Sequence, residues 1–274
     1  MWISKKEMNE LSENVRKYLD GEYVDIRDNK EGLLSMLKND IYTLVTIKNE
    51  EMAQLEKERD ILSEYMADIS HQLKTAITSM MIMADLLEDV DDCKKEEFIR
   101  NIRFSLSKME WLVSSLLKMA KLDAKAVNFS MKSVSVTDLV QESIAPLKIL
   151  LDVKQQNITV DNDLEIKCDK KWTVEAFTNI IKNAIEHSPE KSNIKIDSGD
   201  NPVYQWISVH DAGEGMKKEQ YAALFKRFEY STSENGYGIG MPLALSIMKS
   251  QNGDIDIDFG GNGKGATFIL KFFK

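Results

Sequence analysis

At 274 residues, with 36 basic and 45 acidic side chains and a formal charge of −9, the chain is longer than one compact core usually needs, so two or more domains are expected. Hydrophobic residues at 43% and charged ones at 30% exclude a disordered or low-complexity chain, and the acidic balance argues against a nucleic-acid binder. Cys93 and Cys168 stand far apart without a CxxC partner, which argues against a disulfide framework or zinc site and suits a reducing, cytoplasmic setting.

The first half reads as helical. Ile3–Leu19 is a short amphipathic helix broken by Gly21-Glu22-Tyr23, and Leu34, Leu37, Ile41 and Leu44 lead into a longer one. In that helix Leu55, Leu62, Ile69, Ala76, Met83 and Val90 step by seven, as do Met66, Leu73, Met80 and Leu87. The two series interleave as the seam of a coiled coil or bundle, and the earlier set is out of phase with them, which predicts a stutter near residues 45–52. Glu88-Asp89-Val90-Asp91-Asp92 ends the helix, and a second one carries Ile99, Ile102, Leu106, Met109, Val113, Leu116 and Ala120. Two such helices make an antiparallel hairpin, and pairing two hairpins as a homodimeric four-helix bundle buries both seams.

No apolar run exceeds five residues, as in Met80–Ala84, whereas a membrane span needs about 20. The start Met1-Trp2-Ile3-Ser4-Lys5-Lys6-Glu7 lacks the apolar core of a signal peptide. The chain as given is expected to be soluble.

Composition shifts near residue 125. All four prolines and most glycines follow it, and a domain boundary is placed at Leu122–Phe129. Strands are predicted at Phe129–Val136, Ile158–Val160, Leu164–Cys168, Ile194–Ile196, Trp206–Val209, Ile255–Asp258 and Thr267–Phe272. Helices are predicted at Asp138–Leu151, Trp172–His187 and Met241–Gln251. Strands mixed with three helices give a two-layer α/β domain. The predicted fold class is therefore α followed by α/β, a helical dimerisation hairpin joined to that domain.

Four places carry chemistry. His71 falls at heptad position f, the most exposed, with Thr75 one turn along the same side. An exposed imidazole is a nucleophile when a neighbour fixes its tautomer. Asp211-Ala212-Gly213-Glu214-Gly215 follows a strand, where a carboxylate can accept from a ligand amino group while glycines let the backbone come close. Gly236-Tyr237-Gly238-Ile239-Gly240 runs into a helix, whose free N–H groups suit an anion. The helix Trp172–His187 puts Asn179, Asn183, Glu186 and His187 near one face, and amides in mid-helix ask for a polar partner.

Together these elements resemble the sensor histidine kinases of two-component systems. Asp68-Ile69-Ser70-His71-Gln72-Leu73-Lys74-Thr75 resembles their H-box, and Asn179-Ile180-Ile181-Lys182-Asn183-Ala184 their N-box. Asp211–Gly215 and Gly236–Gly240 are similar to the two glycine boxes. Leu224-Phe225-Lys226-Arg227-Phe228 is similar to the F-box, and Gly263-Lys264-Gly265-Ala266-Thr267-Phe268 to the closing glycine-threonine box. Six boxes in family order across residues 68–268 are specific, though no single one is.

The resemblance implies three regions. They are a helical, HAMP-like linker over residues 1–54, a dimerisation and phosphotransfer domain over 55–124, and a Bergerat-type ATP-binding α/β sandwich over 125–274. It implies ATP and Mg²⁺ as cofactors and a receiver-domain aspartate of a response regulator as the next acceptor. His71 would take the phosphoryl group beside Gln72, and Thr75 would serve a phosphatase activity toward the regulator. Asn183 would hold Mg²⁺, with Asn179 beside it and His187 near the phosphates. Asp211 would receive the adenine amino group in a pocket shaped by Gly213 and Gly215 and closed by Thr267. Gly236, Gly238 and Gly240 would line the phosphate side of a lid over residues 217–237, anchored by Phe225 and Phe228.

Membrane anchorage of the parent protein would come only through segments absent from this chain. Three positions depart from the family pattern: Gln72 replaces the usual acidic residue, Glu186 the usual lysine, and Ala76 the common proline. Glutamine can accept the Nδ1–H bond but cannot take up the proton, so a nucleotide-binding pseudokinase or dimeric scaffold is the alternative reading.

Overall fold

The computed structural model describes residues 5–19, 25–27, 32–87, 91–216, 220, 223–228, 238–259 and 265–274. The chain divides into two compact units, Met1–Ile69 and Ser70–Lys274. In the first, α1 (Lys5–Leu19) precedes the start of α2 (Leu33–Leu86). Arg27 forks the Asp25 carboxylate at 2.7 and 2.9 Å and lies 4.3 Å over the Tyr42 ring. The predicted break at Gly21-Glu22-Tyr23 lies outside the described residues.

Helix α2 runs unbroken for 54 residues, consistent with a sequence rich in Leu, Met, Glu and Lys. Its last turn closes with the Leu87 N–H donating to the Ala84 carbonyl, and α3 (Asp92–Asp123) begins after an extended Asp91. The acidic break predicted between the two helices is thus at the right place, with residues 88–90 outside the described set.

Helix α3 has two apolar faces where the heptad reading found one. The predicted seam residues Ile99, Leu106 and Val113 stay 41%, 53% and 44% exposed. Leu112, Met119 and Leu122, by contrast, are almost fully buried. This second stripe packs on α7 (Gly240–Ser250). Polar contacts flank it. Arg227 forks Asp123 at 2.8 and 3.1 Å, Lys118 meets Glu175 at 2.7 Å, and the Lys182 ammonium sits 5.5 Å from the Trp111 ring centre. Pairs this exposed add little stability and mainly fix orientation.

The remainder forms two layers. A five-stranded sheet runs in the order β2 (Asn157–Val160), β4 (Asn193–Asp200), β5 (Tyr204–His210), β7 (Thr267–Phe273), β6 (Gly253–Asp258). Only β2 with β4 is parallel, as a crossover connection requires. A small second sheet pairs β1 (Met131–Ser135) with β3 (Glu165–Asp169). Ile194, Ile196, Ile207, Val209, Phe268 and Leu270 point from the main sheet into the core. They meet Phe177, Ile180, Ile181 and Ile185 of α6 (Lys170–His187), and Leu243, Ile247 and Met248 of α7. Each such side chain contributes about 1.5–3 kcal/mol by burial.

Two predicted boundaries move for local reasons. Val136, read as the end of a strand, instead opens α4 (Val136–Ile144), because the Ser135 hydroxyl accepts from the Asp138 N–H and caps the helix. The Asp163 carboxylate takes the Thr137 N–H and the Ser135 hydroxyl, and these bonds hold it below the usual carboxylate range. The helix predicted over Asp138–Leu151 is broken at Pro146, which lacks an N–H and turns Ala145–Leu147 into a single 3₁₀ turn before α5 (Lys148–Lys154).

Asp169 ties three elements together. Its Oδ1 accepts from the Trp172 N–H and caps α6, its Oδ2 accepts from the Ser130 N–H at 2.7 Å, and its own N–H donates to Gln251 Oε1 at 2.7 Å. Replacing Asp169 by Ala removes the cap and the Ser130 bond together. The expected loss is about 1–3 kcal/mol, read as a lower urea midpoint at an unchanged m-value.

Candidate functional site

A cavity of about 620 Å³ opens beside the C-terminal end of α6, the loop after β5 and the start of β7. Asp211, only 4% exposed, lies in its wall. The Asp211 N–H donates to the Ala266 carbonyl, and its Oδ1 accepts from the N–H groups of Gly213 at 2.9 Å and Ala266 at 3.1 Å. Its Oδ2 has no hydrogen-bond partner among the described residues. A buried carboxylate fixed by two backbone donors thus keeps one acceptor for a ligand N–H.

Two glycines make this approach possible. Gly265 has φ +73°, and a Cβ there would lie 1.9 Å from the Asp211 carbonyl oxygen. A Cβ on Gly213 would lie 2.7 Å from the His187 carbonyl oxygen.

Helix α6 supplies another wall. Asn183, His187 and the following Ser188 and Pro189 line the cavity, and the Ser188 Oγ accepts from the Ala212 N–H at 3.0 Å. Asn179 sits one turn back and is buried, its Nδ2 donating to the Glu175 carbonyl at 3.1 Å. Its Oδ1 lies against Gly240, the first residue of α7. No side chain caps α7, and Pro242 brings no N–H, so the Gly240 and Met241 amides are its N-terminal donors. The Phe228 N–H donates to the Gly238 carbonyl at 3.2 Å, both residues having positive φ. Gly215 also lines the cavity.

The structure therefore gathers Asn183, His187, Asp211, Gly213 and Gly215 on one cavity, with Asn179 packed against Gly240 behind it. Gly236 lies outside the described residues, as does most of the predicted lid. Thr267 does not line the cavity. Strand alternation turns Ala266 and Phe268 toward it instead, and the Thr267 hydroxyl lies 2.9 Å from His210 Nδ1. His71, Gln72 and Thr75 stand apart on α2, where His71 and Thr75 are exposed and Gln72 is half-buried. The Thr75 hydroxyl donates to the His71 carbonyl at 3.0 Å.

Sequence reasoning missed Ser188, Ala266 and Phe268. The Ser-Pro step ending α6 marked the first, and the period of two in β7 marked the others. Among the described residues no cluster of three or more His, Cys, Asp or Glu side chains could hold a metal. A cation at this site would rely on the Asn183 amide and on the ligand's own oxygens.

The model for the His Kinase A phospho-acceptor domain matches residues 61–125. The model for histidine kinase-, DNA gyrase B- and HSP90-like ATPases matches residues 168–274, and together the two cover more than half of the chain. The chain belongs to the sensor histidine kinases. Within that family's pattern it carries a phospho-acceptor hairpin followed by an ATPase-type α/β domain.

Sporulation kinase C of Bacillus subtilis is 30% identical over 229 residues, covering 80% of this chain and 51% of that protein. The sensor histidine kinase WalK of the same organism is 27% identical over 239 residues, 81% of this chain and 38% of its own length. The chain spans about half the length, or less, of such curated relatives. The Acinetobacter baumannii histidine kinase AdeS shares the fold with a TM-score of 0.63 at 19% identity, over 74% of this chain and 97% of that one. Histidine kinase ThkA in complex with response regulator protein TrrA gives 0.63 at 22% identity, over 83% and 66%. Among the described residues no helix is long and apolar enough to cross a membrane.

The clash at Gly265 gives a test of the site. Gly265→Ala puts a Cβ onto the Asp211 carbonyl and forces a strained backbone. It should lower stability by about 2–4 kcal/mol in equilibrium denaturation and weaken ATP binding in the fraction that still folds.

Proposed function

We propose that this histidine kinase transfers the γ-phosphoryl group of ATP to His71 and then to an aspartate on a response-regulator receiver domain. The observation that carries the reading is Asp211, a buried carboxylate in the wall of a cavity also lined by Asn183 and His187, with no partner on its Oδ2 among the described residues. That acceptor suits the adenine amino group. The Asn183 amide oxygen suits Mg²⁺, which neutralises phosphate charge when bound. The α7 N-terminus, with Gly238 and Gly240, suits the phosphates. The Phe228 N–H bond to the Gly238 carbonyl joins the F-box-like segment to this glycine turn.

Chemistry then needs little covalent help from the protein. A ring nitrogen of His71 attacks the γ-phosphorus, the bond to the bridging oxygen breaks, and ADP leaves. Gln72 is the neighbour able to accept the Nδ1–H, which holds the tautomer without taking the proton.

The reading extends to organisation. Residues 1–54 act as a helical linker, 55–124 as the dimerisation and phosphotransfer domain, and 125–274 as the ATP-binding domain. The exposed seam of Ile99, Leu106 and Val113 supports a homodimer, as the phospho-acceptor family model does. The relatives named as sensor kinases support a longer parent protein anchored in the membrane by segments beyond this chain. A catalytically silent scaffold is the second reading. It is favoured by Glu186, which faces Lys182 at 3.8 Å instead of supplying a cation to the site.

Two experiments test these assignments. Incubation with γ-labelled ATP should give an acid-labile, base-stable phosphoprotein, and His71→Gln should reduce the label to background. Equal labelling of the variant rejects His71, and no label on a parent chain that binds ATP selects the scaffold. Thr75 lies one turn from His71, and its hydroxyl can orient a water toward an aspartyl phosphate. Thr75→Ala should keep autophosphorylation within about threefold and lengthen the phosphorylated regulator's lifetime by about tenfold or more. An unchanged dephosphorylation rate would leave Thr75 as a surface residue only.

A further inference from the structure

Outside the cavity, one polar cluster is built more closely than its surface position requires. The Lys154 ammonium, at the end of α5, donates to the carbonyls of Ile185 at 2.7 Å, Glu186 at 2.9 Å and Ser188 at 3.2 Å. Two residues on, buried Gln156 directs Nε2 at the carbonyls of Ile185, Ser188 and Pro189, at 3.3, 2.9 and 2.9 Å. Three carbonyls around one nitrogen fix which end of the amide is the donor. The other end, Oε1, is buried without a partner among the described residues. A helix leaves its last carbonyls without internal partners and carries negative partial charge there. Here a cation and an amide from a segment about thirty residues earlier in the chain satisfy them.

The backbone reinforces the arrangement. Gln155 turns left-handed at φ +53°, which lets α5 stop at Lys154 and aims Gln156 back at α6. The Lys191 N–H donates to the Lys154 carbonyl at 2.9 Å, and the Asn157 N–H to the Ser192 carbonyl at 3.1 Å. The turn after α6 is thus gripped on both sides. That turn carries His187, Ser188 and Pro189 of the cavity wall, and the Ser188 Oγ in turn holds the Ala212 N–H beside Asp211.

We infer that Lys154 and Gln156 are positioning residues for the nucleotide, acting through the end of α6 and Ser188 to set the distance between the His187 turn and the Asp211 loop. The inference rests on the reading of this cavity as the ATP site. Neither side chain lines the cavity, so neither is a catalytic residue. The clamp acts on binding more than on the transfer step, because the geometry it fixes surrounds the nucleotide and not His71.

The test uses the full chain and Mg²⁺ with ATP or its non-hydrolysable imido analogue. Lys154→Met keeps the aliphatic stem and removes all three donors. It should raise the Kd of the analogue and the KM for ATP by about tenfold while kcat stays within about twofold. Lys154→Arg, which retains donors and charge, should recover most of the loss. Gln156→Glu, which aims a carboxylate at three carbonyl oxygens, should act in the same direction and serves if Lys154→Met folds poorly.

Combining Lys154→Met with Ser188→Ala should weaken binding clearly less than the two single effects together, because both act through one turn. A lowered melting temperature with unchanged Kd would make the clamp merely structural and overturn the inference, as would fully additive single effects. A parent chain that fails to bind the analogue would overturn the ATP-site reading itself, and the inference with it.

Discussion

The architecture depends on the burial of helix α6. It packs on the main sheet in contact with α4 and α7, with Phe177, Ile180, Ile181, Ala184 and Ile185 removed from water. The backbone groups at its two ends require partners from outside the helix. Asp169 meets the requirement at one end and Lys154 with Gln156 at the other. Two of its polar side chains lie where the helix reaches the site. There Asn179 meets Gly240 and Asn183 meets the cavity.

The two halves of the chain solve the burial problem differently. The α/β part closes its own core, strand against helix, around non-local contacts. The helical part leaves apolar side chains such as Phe104, Leu106 and Leu117 more than half exposed. Exposure on that scale along one helix calls for a partner surface. Helix α3 belongs to both solutions, for one stripe is spent on α7 and the other is left open.

Much of this was legible in the sequence because it is periodic or local. The heptads marked α2 and α3, alternation marked the core strands, and the glycine-rich turns marked the loops around Asp211. The misses share a different cause. Leu112 and Met119 adjoin the predicted seam on the helix surface, so period alone cannot say that they face a different element. The Ser135 cap and the Pro146 break are local signals overruled in the reading by apolar pattern. Thr267 was carried over by motif, whereas its strand position turns the side chain to His210. Lys154 reads as one more surface lysine. Its role depends on carbonyls 31 to 34 residues away, which no window on the sequence contains.

The strand order has a consequence for how the protein is made. β7 lies between β5 and β6 although it follows both in the chain, so the main sheet has a gap at that place until β7 leaves the ribosome. At about 5–20 residues per second, roughly 7 to 27 seconds of synthesis separate the emergence of β1 from that of β7. The hairpin helices, held by local contacts, form within that interval. Within it, the stripe of α3 that later rests on α7 stays bare until α7 emerges, and the facing edges of β5 and β6 stay unpaired until β7 joins them. The nascent chain is therefore most exposed to aggregation after α3 is complete and before α7 and β7 arrive. A holdase chaperone would find its binding surface on the α3 stripe before α7 emerges.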